Sequence, residues 1–233
     1  MMKSQMSSVL HHEWKYFVAL KRFRFSMLFL IVAPAIFTML AYIYFGKLNF
    51  YYPIIIMALG VPRITVNMIS YSIGGEKVYK TFESLLSTPI RTESMFIGKS
   101  MIAILISLVM LVVSSLFTWL SANFIQYVFM HETSLIWFST AQSILIFDNL
   151  LICIFMIFIT GILSMVMQKP RQGLHIASAL SFLTMVPSLL VTFGVKHPLE
   201  WSAGIMIILL GINLFFICYV LQRIKRPQIM AKL

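Results

Sequence analysis

Six apolar runs, each long enough to cross a lipid bilayer, take up most of this chain and leave little else to fold. A span needs about 20 apolar residues to cover roughly 30 Å of hydrocarbon. Residues 25–45, 53–73, 97–120, 143–167, 175–195 and 201–221 meet that length. Lipid offers no partner for backbone N–H and C=O groups, so each run must satisfy them internally as a helix. Apolar residues make up 60% of the chain and charged residues 11%, against roughly a quarter charged in soluble domains. The sequence therefore predicts an all-α integral membrane protein, residues 1–233 forming one transmembrane domain of six helices. No stretch between the runs is long enough to bury a soluble core, and no appended enzyme or receptor domain is expected.

The net charge of +11 would suggest nucleic acid if it were clustered, but its placement is a topology signal instead. Five Lys and Arg precede the first run, four lie in the connection between the second and third or at its edge, two between the fourth and fifth, and four after the sixth. That places 15 of the 18 on one side; Lys47 and Lys196 fall on the other, and Arg63 lies within the second run. By the positive-inside rule both termini are expected in the cytoplasm. Before the first run, Leu10, Trp14, Phe17 and Val18 stand near helical spacing opposite basic residues. This predicts a helix in residues 1–24 lying in the cytoplasmic interface. That stretch lacks the small-residue cleavage site of a secretory signal. Residues 222–233 are expected to form a cytoplasmic tail. The connection 121–142 lacks Lys and Arg, and its Phe124, Tyr127, Phe129, Trp137 and Phe138 are expected at the outer interface as an aromatic belt.

Between the second and third runs, residues 74–96 mix charge with ordered apolar spacing. Val78, Phe82, Leu85 and Leu86 recur at i, i+4, i+7 and i+8, while Glu76, Lys77, Lys80 and Glu83 fall largely elsewhere. That pattern is one apolar face of a helix. Pro89 ends it, because proline donates no backbone hydrogen bond and biases Thr88 away from helical angles. Such a helix either rests on lipid or is gripped by a soluble partner. Its mixed charge favours the partner, since a helix on anionic lipid is expected to be basic.

Several chemical motifs fail on spacing. Gly98-Lys99-Ser100 ends like a phosphate loop, but Glu93 stands where that loop requires its first glycine. His11-His12-Glu13 lacks the second histidine of a zinc protease. Cys153 and Cys218 sit inside apolar runs with neither disulfide nor metal spacing. Seventeen Met show no ligand repeat. No catalytic centre or metal site is predicted. Arg63 and Asp148 are ionisable groups inside spans, where charge is costly and marks a functional candidate; structural pairing or snorkelling is the first reading of both, with a place in a translocation path as the alternative.

The stretch 76–99, EKVYKTFESLLSTPIRTESMFIGK, resembles the cytoplasmic signature of type-2 ABC exporter permeases. The likeness rests on Thr81, Glu83, Leu85, Leu86, Thr88, Pro89, Gly98 and Lys99, with Phe82 in place of the usual Leu and Lys80 in place of Gly. Val186-Pro187 and His197-Pro198-Leu199 are similar to that family's Pro-containing outer segment before the last span. The resemblance implies a permease subunit rather than an enzyme. It would work with a second copy of itself, or a homologous permease, and with two copies of a separate ABC ATPase. ATP and Mg would bind that ATPase, and no cofactor would bind this chain. It implies that Glu76, Lys77, Val78, Phe82, Glu83, Leu85, Leu86, Thr88 and Pro89 couple to the ATPase, with Lys169 and Arg171 as a second cytoplasmic contact. It further implies export of a small amphipathic molecule, drug or antimicrobial peptide across a bacterial plasma membrane. The alternative class is a stand-alone channel or ion-coupled carrier, which requires broken helices or several polar groups converging at mid-membrane.

Overall fold

A computed structural model describes residues 15, 21–78, 92–166, 170–193 and 196–223. Seven helices are described: α1 (Lys21–Phe45), α2 (Tyr51–Val78), α3 (Thr92–Phe129), α4 (Thr140–Val166), α5 (Pro170–Leu183), α6 (Val186–Phe193) and α7 (Pro198–Arg223). No strand occurs among the described residues. Six segments are long and apolar enough to cross a membrane, and the fifth, His175–Phe193, is made of α5 and α6 together. The chain is a multi-pass, all-α membrane protein. Residues 1–14 and 16–20, where the interfacial helix is expected, lie outside the described residues.

The spans run back and forth between a terminal end, near Lys21 and Arg223, and a far end. Two ties fix that arrangement. At the terminal end Lys99 of α3 is buried, and its Nζ donates to Ser72 Oγ (2.6 Å) and Ser72 O (3.3 Å) on α2. At the far end, ring pairs join Tyr42 to Phe129, Phe45 to Tyr52 and Tyr52 to Phe193.

α2 is the hub. It contributes to four apolar clusters that between them reach α1, α3, α4, α5, α6 and α7. In its apolar window 67% of residues are buried, against 11% for α7, which rides on the outside of α4 and α6. Close approach helps at two glycines: a Cβ on Gly60 would meet the Leu30 side chain of α1 at 2.6 Å, and one on Gly161 would collide with the Phe96 ring.

The helices α2 and α5–α6 share a defect. Pro62 has no N–H, so the Ala58 carbonyl loses its partner within α2. The fifth span breaks at Thr184 and Met185, two residues before Pro187. From that break Thr184 Oγ1 lies 2.8 Å from Ala58 O and 2.5 Å from Ser181 O of its own helix, so its one hydroxyl proton is shared between the two carbonyls. The interruption in one span thus satisfies the carbonyl stranded in the other, and both Thr184 and Ala58 are buried.

The connection 121–142 is shorter than its composition suggests. α3 runs on to Phe129, and its 38 residues span about 57 Å. Its last turns hold residues 130–139: Trp119 Nε1 donates to Ile136 O (2.8 Å), Asn123 exchanges bonds with Ile136, and Gln126 Nε2 donates to Glu132 Oε2 (2.8 Å). Phe124, Tyr127 and Phe129 are therefore helical, and only Trp137 and Phe138 of the expected belt lie in the loop.

Thr184→Val strands a buried carbonyl and is expected to cost about 1 to 2 kcal/mol, in the range for hydrogen bonds inside helical membrane proteins and unmet buried acceptors. In a Pro62→Ala background the restored N–H can serve Ala58, so Thr184→Val should cost much less. A double-mutant cycle read by thermal unfolding in detergent checks both values; equal costs in the two backgrounds would contradict the pairing.

Candidate functional site

The hub helix leaves one narrow stripe open. From Leu59 to Gly75 every α2 residue is buried except Leu59, Arg63, Asn67, Tyr71 and Gly75, at steps of four. Residues four apart lie on one ridge of a helix, so these five make a single row. Its middle three members are polar.

The α5 face beside this row follows from one contact. The Arg63 guanidinium lies 5.4 Å from the centroid of the Phe182 ring, a distance at which a cation is attracted to the ring face. α2 and α5 pack together and run in opposite directions. Ala179 and His175, three and seven residues before Phe182, share its face and are likewise exposed. The Arg63 side chain thus reaches Phe182, and Val66, which packs with Ala177, puts Asn67 near the level of His175, with Tyr71 a turn further on: a strip from mid-depth to the terminal end. No Asp or Glu occurs in 51–75 or 172–193, so Arg63 has no acidic residue within those two stretches, and the first on α2 is Glu76 at its end.

Arg63 is 12 residues from Tyr51 and 15 from Val78, about 18 and 22 Å along the axis. An arginine at that depth costs about 2.5 to 3.5 kcal/mol on insertion scales if it faces lipid, and more in simulations. An exposed polar row there calls for water or protein against it.

Asp148 behaves oppositely. It is 1% exposed, and neither carboxylate oxygen has a hydrogen-bond partner among the described residues. The two path residues singled out from the sequence are thus not brought together: Arg63 turns outward and Asp148 inward. Asn149 beside it is 0% exposed, with both amide atoms unpartnered among the described residues.

The expected coupling segment is described only at its edges. Glu76, Lys77 and Val78 continue α2 without a break, and Thr92 opens α3. Their side chains, and Thr81, Phe82, Glu83, Leu85, Leu86, Thr88 and Pro89, lie outside the described residues, as do Lys169 and the Arg171 side chain. Lys99, part of the sequence signature, serves as the buried tie to Ser72.

A lateral groove of about 670 Å³ opens between α3 and α4, lined by Leu108, Leu111, Val112, Leu116, Phe147 and Leu150. The Trp119 and Trp137 rings, 5.1 Å apart, also line it. With no ionisable group in its lining it can hold hydrocarbon and perform no chemistry. No group of His, Cys, Asp and Glu among the described residues could hold a metal ion. Comparisons with protein-family models, curated proteins and solved structures find no match to this chain.

Sequence reading found Arg63 but not its row. The signal was present: Arg63, Asn67 and Tyr71 are the largest polar or amphipathic residues of the stretch 53–73 and stand at i, i+4 and i+8.

In a Cys153→Ala/Cys218→Ala background, single cysteines at Asn67 and Tyr71 are expected to react with a charged thiol reagent in membranes. Cysteines at Ile208 on α7 and Leu105 on α3, which are exposed at the flanks of the bundle, should react far more slowly. Equal protection at all four sites would show that the row faces lipid.

Proposed function

We propose that this chain is the membrane-spanning subunit of an ABC-type exporter in a bacterial plasma membrane. In this reading it is paired with a second copy or a homologous permease, and a separate ATPase drives it. The observation that carries the reading is the polar row on the open stripe of the hub helix between Leu59 and Gly75. A mid-depth arginine facing outward is half of a surface, and a second permease set against the α2–α5 strip would enclose it with water. Cargo would pass between the two copies along Arg63, Asn67 and Tyr71.

The mechanics follow from α2. It runs unbroken from that row to Val78, so the segment bearing Phe82, Glu83, Leu85 and Leu86 attaches directly to the helix that packs against the first, third, fourth and fifth spans. Displacing its cytoplasmic end would shift Arg63, about 22 Å away, through a stiff rod. ATP and Mg would bind the partner ATPase, whose closure pushes the segment. The amphipathic strip, with Phe182 and Leu59 beside Arg63, suits a small amphipathic cargo, drug or antimicrobial peptide.

A second reading, an ion-coupled carrier, is favoured by the broken fifth span and the buried Asp148. Discontinuous helices and intramembrane carboxylates are features of such transporters.

Isolated from its native membrane, the chain should bring ATPase activity with it. Glu83→Lys combined with Leu86→Asp should reduce that activity by at least about tenfold at unchanged membrane abundance, because burial of one Leu is worth about 1.5 to 3 kcal/mol. A wild-type preparation with no ATPase above background would overturn the exporter reading and leave the carrier.

A further inference from the structure

Asp148 is the only aspartate of the chain and, among the described residues, the only acidic one lying more than a turn inside a candidate span. Its position follows from its neighbours. Leu145, three residues before it, packs with Ile54 and Val191; Ile152, four after it, packs with Val66 and Ala177. Residues at these spacings share a helix face, so Asp148 lies between those two apolar clusters. Ala58 falls between Ile54 and Val66 on α2, and Thr184 between Ala177 and Val191 on α5–α6. The carboxylate is therefore level with the break in the fifth span and the Thr184–Ala58 bond.

None of the charged or titratable groups described on the packed elements meets it. Arg63 on α2 turns outward over Phe182, and Lys99 on α3 holds Ser72 at the terminal end. His175 on α5 and Glu200 on α7 are exposed near opposite ends of the bundle, and Cys153 on α4 is buried in the cluster between α2 and α3. An ionised carboxylate left in that layer without a partner costs several kcal/mol.

We infer that Asp148 is a binding site for a monovalent cation, H⁺ or Na⁺, at the break of the fifth span. Charge balance selects the valence: one positive charge neutralises one carboxylate, whereas a divalent ion would leave a buried surplus. At 1% exposure, an organic ammonium or a basic side chain of a second copy does not reach it, but a proton or bare ion does. Ser181 O near the end of α5 meets the Thr184 hydroxyl; the other last carbonyls of a helix end lack intrahelical partners and are oxygen ligands of the kind that broken transporter helices use. Neutralised, Asp148 lets the layer stay closed around Thr184. Ionised, it draws water in through the break. The site is independent of whether an ATPase drives the chain.

The test uses the purified full-length protein in liposomes and a lipid-soluble carbodiimide, which modifies neutral carboxyl groups. If the ligand is H⁺, modification of the peptide containing Asp148 should fall as pH rises; if Na⁺, it should fall when Na⁺ replaces choline at constant pH and ionic strength. In parallel, the melting temperature of the wild type should rise with the bound cation, and Asp148→Asn should lose that dependence. Either response supports the site. Modification indifferent to pH and Na⁺, together with parallel melting profiles for wild type and variant, overturns it. If Asp148→Asn does not fold, the modification of the wild type decides alone.

Discussion

The fold depends on one carbonyl. Pro62 strands the Ala58 oxygen in the middle of the hub helix, and in a bilayer there is no water to take its place. Thr184 supplies the missing donor only because the fifth span breaks where it does, so two locally unfavourable features stabilise one another. The bond pins α5–α6 against α2, and that contact brings Phe182 beneath Arg63. The apolar clusters on either side of it hold the same helices together and enclose the layer containing Asp148.

From that contact the intramembrane charges divide into two kinds. Arg63 sits on an open ridge with its guanidinium over an aromatic face, so its surroundings are set by whatever meets the protomer from outside. Asp148 is enclosed by apolar clusters on either side, so its surroundings are set by the protomer itself. The first suits a surface shared between copies, the second an internal site for a small ion. Lys99 is a third case: buried at the terminal end, it directs its charge-assisted hydrogen bonds to Ser72 and ties the two helices that residues 79–91 connect.

The six spans were legible in the sequence because hydropathy over about 20 residues reports the length a bilayer demands. Which way side chains point was not. Asp148 and Arg63 both read as charges in apolar runs, and only packing separates the buried one from the exposed one. The break at Thr184 was half visible: Pro187 marked it, but the partner carbonyl at Ala58 depends on a pairing 126 residues apart. The extension of α3 to Phe129 was hidden because aromatic residues suit an interfacial loop and a protruding helix equally. Asn123 and Gln126 decide it by clamping the following loop. The amphipathic spacing of Val78, Phe82, Leu85 and Leu86 was the clearest local pattern, and the unbroken run of α2 to Val78 gives it a rigid attachment.

The central claim, that the Arg63 row faces a second permease across water, is tested most directly by distances within the intact assembly. Spin labels at position 67 of α2 and, separately, at position 208 of α7 can be measured by pulsed electron paramagnetic resonance in native-like membranes. A defined inter-copy distance is expected at position 67, shorter than the one at position 208. No dipolar coupling at position 67, or a shorter distance at position 208, would contradict it.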